Sequence, residues 1–159
     1  MVISMKQKVF LASDHAGFEL KEHIKKYLQK NGYEVEDQGA YKFDSEDDYP
    51  KFMLKAAKKV ASNKSSIGII FGGSGQGEAI VANKVKGIRA AVYNCNNPKI
   101  IRLSRTHNDA NILSIGARFV AKEHALEAVK LWLKTDFPNE PRHKRRLKQL
   151  KELEKKLCK

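Results

Sequence analysis

The segment Phe71-Gly72-Gly73-Ser74-Gly75-Gln76-Gly77-Glu78 places a carboxylate directly behind a glycine-rich loop. Such a loop lets backbone N–H groups converge on an anion, because no Cβ atoms obstruct the approach. Two familiar nucleotide loops are incomplete here. The P-loop spacing runs from Gly72 to Gly77, but Glu78 stands where the phosphate-reaching lysine belongs. It also occupies the third glycine position of the dinucleotide pattern counted from Gly73 and Gly75. A carboxylate would repel a permanent phosphate in this loop, yet it suits a transient anion that it creates itself. That chemistry is removal of a proton from the carbon beside a carbonyl, which leaves an enediolate. Glu78 is then the general base, and the amides around Gly73, Ser74, Gly75 and Gly77 form the oxyanion hole. A preorganised donor is worth roughly 2.7–4 kcal/mol and a positioned base about 10²–10⁴-fold in rate. A tight strand–helix connection, with Glu78 favoured by the helix dipole, explains the same loop. The loop alone leaves both readings open.

Further polar groups sit beside other strand ends. Ser13-Asp14-His15-Ala16-Gly17 offers an adjacent Asp and His for the proton of a sugar hydroxyl, or an Asp that caps a helix. Ser104-Arg105-Thr106-His107-Asn108-Asp109 supplies an imidazole suited to acid–base work on a ring oxygen. Arg118 follows Gly116 at the end of a strand. In Pro141-Arg142-His143-Lys144-Arg145-Arg146, Arg142 and Arg146 share one face if a helix begins there, and two guanidinium groups can fork onto a phosphate. A solvated basic run is the plainer reading of that stretch. His23 and His124 lie in helical stretches without polar clusters. No His, Cys and carboxylate set has metal-ligand spacing, so no metal and no other cofactor is expected.

These groups need a scaffold. Lys8–Ser13 reads as a buried first strand, followed by a helix from about Gly17 to Asn31 with Leu20, Ile24, Tyr27 and Leu28 on one face. Gly32 ends it, and Tyr33–Asp37 is a more polar second strand. The acidic segment Asp44–Asp48 is a loop, and Pro50 opens a helix reaching about Ser62. Ile67–Phe71 suits a central parallel strand. A helix begins near Glu78, Ile88–Tyr93 is the fourth strand, Pro98–Arg105 a helix and Ile112–Ile115 the fifth strand. Lys122–Lys134 and Arg145–Leu157 are amphipathic, the latter with Leu147, Leu150, Leu153 and Leu157 in a stripe. The alternation predicts an α/β fold, a three-layer domain with a five-stranded, mostly parallel sheet and a C-terminal helix. In such sheets the ligand crevice lies beyond the carboxyl ends of the strands.

The 159 residues, 42% of them apolar, suit a single domain spanning 1–159 with a basic helical tail from about 144 to 159. No apolar run is long enough to span a membrane, and Met1–Lys8 has no signal-peptide pattern. Cys95 and Cys158 are too few for a disulfide framework, so a reducing cytoplasm is the expected compartment. Of the net charge of +13, +7 lies between Arg142 and Lys159. The tail has no aromatic residues to stack on bases, which favours a solvated helix face over a nucleic-acid footprint.

The ordered motifs SDHAGFELK (13–21), DYP (48–50), GGSGQGEAIVANKVKGIRA (72–90), LSRTHNDANILSIGAR (103–118) and PRHKRR (141–146) resemble the B-type ribose-5-phosphate isomerases, a family that includes galactose-6-phosphate isomerase subunits. The resemblance covers nearly the whole chain. It implies a Rossmann-like fold without nucleotide binding, and interconversion of ribose 5-phosphate and ribulose 5-phosphate. By it, Asp14 and His15 line the sugar site, and Tyr49 forms a pocket wall. His107 assists ring opening with Asn108 nearby, while Ser74 and the loop amides hold the enediolate. Arg118, Arg142, His143 and Arg146 correspond to phosphate positions. Some members carry a catalytic cysteine where Gly72 stands; this chain is similar to the branch with glycine there and glutamate six residues later. The family's dimers, sometimes paired into tetramers, imply active sites built from two subunits. The same chemistry on a six-carbon sugar phosphate is the nearest alternative, and a basic nucleic-acid-binding module a more distant one.

Overall fold

The computed structural model describes residues 7–157; Cys158 and most of the Met1–Lys8 segment lie outside the described residues. In chain order the elements are β1 (Val9–Ser13), α1 (Phe18–Lys30), β2 (Val35–Asp37), α2 (Tyr49–Ser62), β3 (Ile67–Gly72), α3 (Gln76–Ala82), β4 (Ala90–Tyr93), α4 (Pro98–Thr106), β5 (Ile112–Gly116), α5 (Lys122–Lys134) and α6 (Pro141–Leu157).

Five strands form one sheet in the order β2-β1-β3-β5-β4, and every neighbouring pair is parallel. The expected mostly parallel sheet is thus wholly parallel. Period-two alternation divides each strand between two apolar layers. Val9, Leu11, Ile69, Phe71, Leu113 and Ile115 face α1 and α5, where Ile24, Leu28, Val129 and Trp132 are buried. Phe10, Ala12, Ile70 and Ile112 face α2 and α3 through Met53, Ala56, Val60 and Ala82. β1, β3 and β5 are buried along their full lengths, whereas the edge strand β2 is only half-buried and shorter than its polar sequence predicts.

Two departures matter for function. The last helix begins at Pro141, not Arg145, because proline is well suited to a first helical turn, where its missing N–H costs nothing. That start places Arg142 and Arg146 on one helical face, four residues apart. On a single chain the stripe also stays uncovered, with Leu150, Leu153 and Leu157 each at least half exposed. No helix among the described residues is long and apolar enough to cross a membrane.

The chain runs from β1 outward to β2, then crosses to β3 on β1's other side. The crevice at this switch point therefore lies beyond the carboxyl ends of β1 and β3.

Candidate active site

Two strand ends meet at that crevice. β1 delivers Asp14 and His15, and β3 delivers the glycine loop that leads into α3. Gly75 adopts a left-handed conformation (φ 79°), which turns the chain sharply into the helix. Ser114 of β5 donates from Oγ to the Gly75 carbonyl at 2.7 Å, and Asn94 Nδ2 donates to the Ser74 carbonyl at 3.1 Å. Side chains from β5 and from the residue after β4 thus hold the loop's carbonyls.

Glu78 lies in the first turn of α3 and is only 4% exposed. Its carboxylate rests against Gly72, where a Cβ would overlap it. One oxygen, Oε2, is buried without a hydrogen-bond partner. Burial pushes the carboxyl's pKa above the ordinary 4.5, and the nearby Asp14 charge adds to the rise; N–H groups of Glu78 itself and Gly75 pull the other way. A carboxylate that is desolvated, half-satisfied and proton-hungry has the properties of a general base.

The remaining near-side groups surround it. Asp14 is buried and accepts from the Gly17 N–H at 3.1 Å. Tyr49, at the start of α2, packs its ring on Gly77, with Cζ 2.8 Å from where a Cβ would stand. Arg118 follows β5, lies over Gly73, and donates its backbone N–H to the Gly73 carbonyl at 3.0 Å. Ser74 Oγ accepts from the Gln76 N–H at 3.2 Å, leaving its own hydroxyl proton to donate.

A profile of the Ribose/Galactose Isomerase family matches residues 9–150. The chain belongs to that family. Ribose-5-phosphate isomerase B of Mycolicibacterium paratuberculosis is 42% identical over 93% of this chain and 92% of its own. Among solved structures, the Clostridium thermocellum isomerase B is 46% identical with a TM-score of 0.88, covering 94% of this chain and 98% of its own. The Mycoplasma genitalium isomerase B, solved with ribulose-5-phosphate bound, has a TM-score of 0.90 at 38% identity, over 95% and 98% of the two chains.

For a member of the isomerase family, the fold assembles only part of the expected site in one chain. Glu78, Asp14, His15, Tyr49, Gly73, Ser74, Gly75, Gly77 and Arg118 gather at the carboxyl edge of the sheet. His107 and Asn108 do not join them. They precede β5, and in a parallel sheet the residues before a strand lie at the opposite edge. The intervening five-residue strand spans roughly 17 Å. His143 stacks on His107 with ring centroids 4.1 Å apart, so Arg142, His143 and Arg146 belong to this second cluster. His143 is 2% exposed, and burial together with the neighbouring His107 and Arg142 charges lowers its pKa below 6.5. Arg142 and Arg146 are exposed.

The Gly75 N–H lies close enough to the Glu78 carboxylate to lower its pKa somewhat, against the effect of burial. The amides of Ser74 and Gly77 have no acceptor among the described residues.

Sequence reasoning missed Asp47. Its side chain is 3% exposed and receives two hydrogen bonds from His15, through the backbone N–H at 2.9 Å and Nδ1 at 2.8 Å. Asp14, His15 and Asp47 offer ligand atoms within 4.8 Å of one another. Because Asp47 Oδ1 already serves two N–H donors and Arg118 adds positive charge nearby, the trio forms a carboxylate–imidazole pair rather than a cation cradle. The acidic run at 44–48 was its only sequence signal. Cys95 is a half-buried free thiol just past the edge strand β4.

Proposed function

We propose that this protein interconverts ribose 5-phosphate and ribulose 5-phosphate, with Glu78 as the general base. The buried carboxylate of Glu78, with one oxygen unpartnered beside a glycine loop, carries this reading. After the furanose ring opens, Glu78 takes the proton from C2. The C–H electron pair becomes the C1–C2 double bond, and the C1 carbonyl oxygen takes up the negative charge. Amides of Ser74 and Gly77, with the Ser74 hydroxyl, stabilise that charge. Glu78 then returns the proton to C1 while the hydroxyl hydrogen of O2 passes to O1. The net change moves one hydrogen between carbons and one between oxygens, with no other reactant consumed and no metal or cofactor called on.

The active site is completed by a second copy of the chain. His107, Asn108, Arg142, His143 and Arg146 of one protomer supply ring opening and phosphate binding to the Glu78 centre of the other. Each cluster alone lacks what the other holds: the Glu78 cluster has a base with Arg118 as its one phosphate-position arginine, and the second cluster has a clamp without a base. An apolar groove of about 1120 Å³ between α6 and the body, lined by Ile88, Ile100, Leu103, Leu150 and Leu153, offers the second copy a hydrophobic seat. The whole chain thus acts as one isomerase domain whose basic helical end, from Pro141, serves the partner rather than a nucleic acid. The enzyme works in the cytoplasm.

A coupled assay across five- and six-carbon sugar phosphates, without added metal, tests the assignment. Turnover of ribose 5-phosphate well above that of allose or galactose 6-phosphate supports it. Preference for a six-carbon sugar moves the assignment to the galactose side of the family, and inactivity toward all of them refutes it.

A further inference from the structure

The 38–48 segment is tied down at both ends. After β2, Lys21 Nζ, fully buried, donates to Asp37 at 2.6 Å and to the Ala40 carbonyl at 2.8 Å. Ser13 at the end of β1 exchanges two backbone hydrogen bonds of 2.7 Å with Gly39 and Ala40. At the other end Tyr49 opens α2 and presses on the glycine loop. Between these anchors the exposed residues Asp44 and Glu46 close a turn, with the Asp47 N–H donating to the Asp44 carbonyl at 3.1 Å. Asp47 alone in this acidic run turns its side chain inward.

Both His15 donors converge on one Asp47 oxygen. The imidazole then carries its proton on Nδ1, and Nε2 has no partner among the described residues. Phe43 meets the ring edge-on, with centroids 6.4 Å apart. We propose that Asp47 is a positioning residue for the isomerase reaction: it fixes the His15 tautomer and orientation so that Nε2 is presented to a substrate oxygen.

The geometry has an electrostatic consequence. The hydrogen bond that His15 donates to Asp47 raises the His15 pKa above 6.5, against burial, with the Asp14 charge adding and Arg118 opposing. Below the His15 pKa, Nε2 carries a proton that it can donate to a substrate hydroxyl or phosphate oxygen, and the Asp47 contact extends that range upward in pH. As pH rises through the His15 pKa, that donor is lost and substrate binding weakens. Without Asp47 the loss starts at lower pH.

This proposal rests on the isomerase reading, and its test separates the two. Asp47→Asn removes the charge and keeps the shape, whereas Asp47→Ala also removes the acceptor. The His15 ring is titrated by nitrogen-detected NMR in the free protein, and ribose 5-phosphate kinetics are followed against pH, with thermal melts confirming folding. The expected result is a lowered His15 midpoint in both variants and loss of the single Nδ1–H tautomer in Asp47→Ala. At a pH between the variant and wild-type His15 midpoints KM rises about tenfold, the cost of one charge-assisted hydrogen bond, while kcat stays within about threefold. Asp47→Glu recovers part of the KM. An unmoved midpoint, or a lowered midpoint with unchanged KM, overturns the role of Asp47. Wild-type protein that fails to turn over any sugar phosphate overturns the isomerase reading instead.

Discussion

Gly72 and Glu78 share one volume: the Glu78 carboxylate fills the space that a side chain at position 72 would need. A cysteine at 72 and a glutamate in this pose at 78 are therefore sterically exclusive. This accounts physically for the two branches that the sequence resemblance implied. A side chain can enter the crevice from the last residue of β3 or from the first turn of α3, and glycine at 72 leaves room for the second.

Gly72→Ala should consequently displace the base without deleting it. We expect kcat to fall by about 10²-fold or more, the contribution of a positioned base. The double variant Gly72→Ala/Glu78→Gln should be no slower than Glu78→Gln alone, since both changes remove the same function. Multiplicative losses in steady-state kinetics would show that Gly72 acts through something other than the carboxylate.

The raised Glu78 pKa has a sign that stability measurements can read. An acid whose folded-state pKa lies above 4.5 binds its proton more tightly in the folded protein. Ionising it therefore costs stability as pH climbs from about 4.5 through the folded value, and the loss persists above it. Glu78→Gln should raise the thermal midpoint at pH 7.5 and leave it almost unchanged at pH 4. The acid limb of the wild-type kcat/KM profile should turn over above 4.5. A limb at or below 4.5, or equal midpoints at pH 7.5, would contradict the burial argument.

Much of this fold is legible in the sequence, for reasons that can be named. Ile67–Phe71 is apolar on both faces and could only be a central strand, and it is. The glycines at 72, 73, 75 and 77 after that strand mark the crevice, and the topology places Asp14 and His15 beside it. What escaped were relationships that depend on strand order and distant packing. His107 comes just before β5 in the sequence, but only the strand order shows that, in a parallel sheet, this puts it on the edge opposite to Asp14 and Glu78. Asp47 lies 32 residues from His15 with other carboxylates around it, and nothing local distinguishes the one that turns inward. The Glu78 contact with Gly72 appears only once α3 folds back over β3.

The proposed division of the site between two copies predicts complementation. Glu78→Gln protein lacks the base but keeps the clamp, and Arg142→Ala protein has the reverse defect. Mixing them under conditions that exchange subunits leaves half the dimers mixed, each with one intact site, so about a quarter of wild-type activity should return. Activity no greater than the average of the two parents would place both residues in one chain's site.

Arg142→Ala alone should weaken binding more than chemistry. In the proposed clamp its exposed guanidinium forks onto the phosphate through a charge-assisted hydrogen bond, so KM should rise about 10- to 100-fold with kcat less affected. Inorganic phosphate, a weak competitor for the wild type, should inhibit the variant much less. Unchanged KM and undiminished phosphate inhibition would remove Arg142 from the clamp.

The most direct measurement is single-turnover isomerisation of ribose 5-phosphate by Glu78→Gln, compared with the wild type at equal substrate occupancy. The account predicts a correctly folded protein that binds the sugar phosphate normally and converts it about 10²–10⁴-fold more slowly. Conversion within about twofold of the wild-type rate, with binding intact, would contradict it.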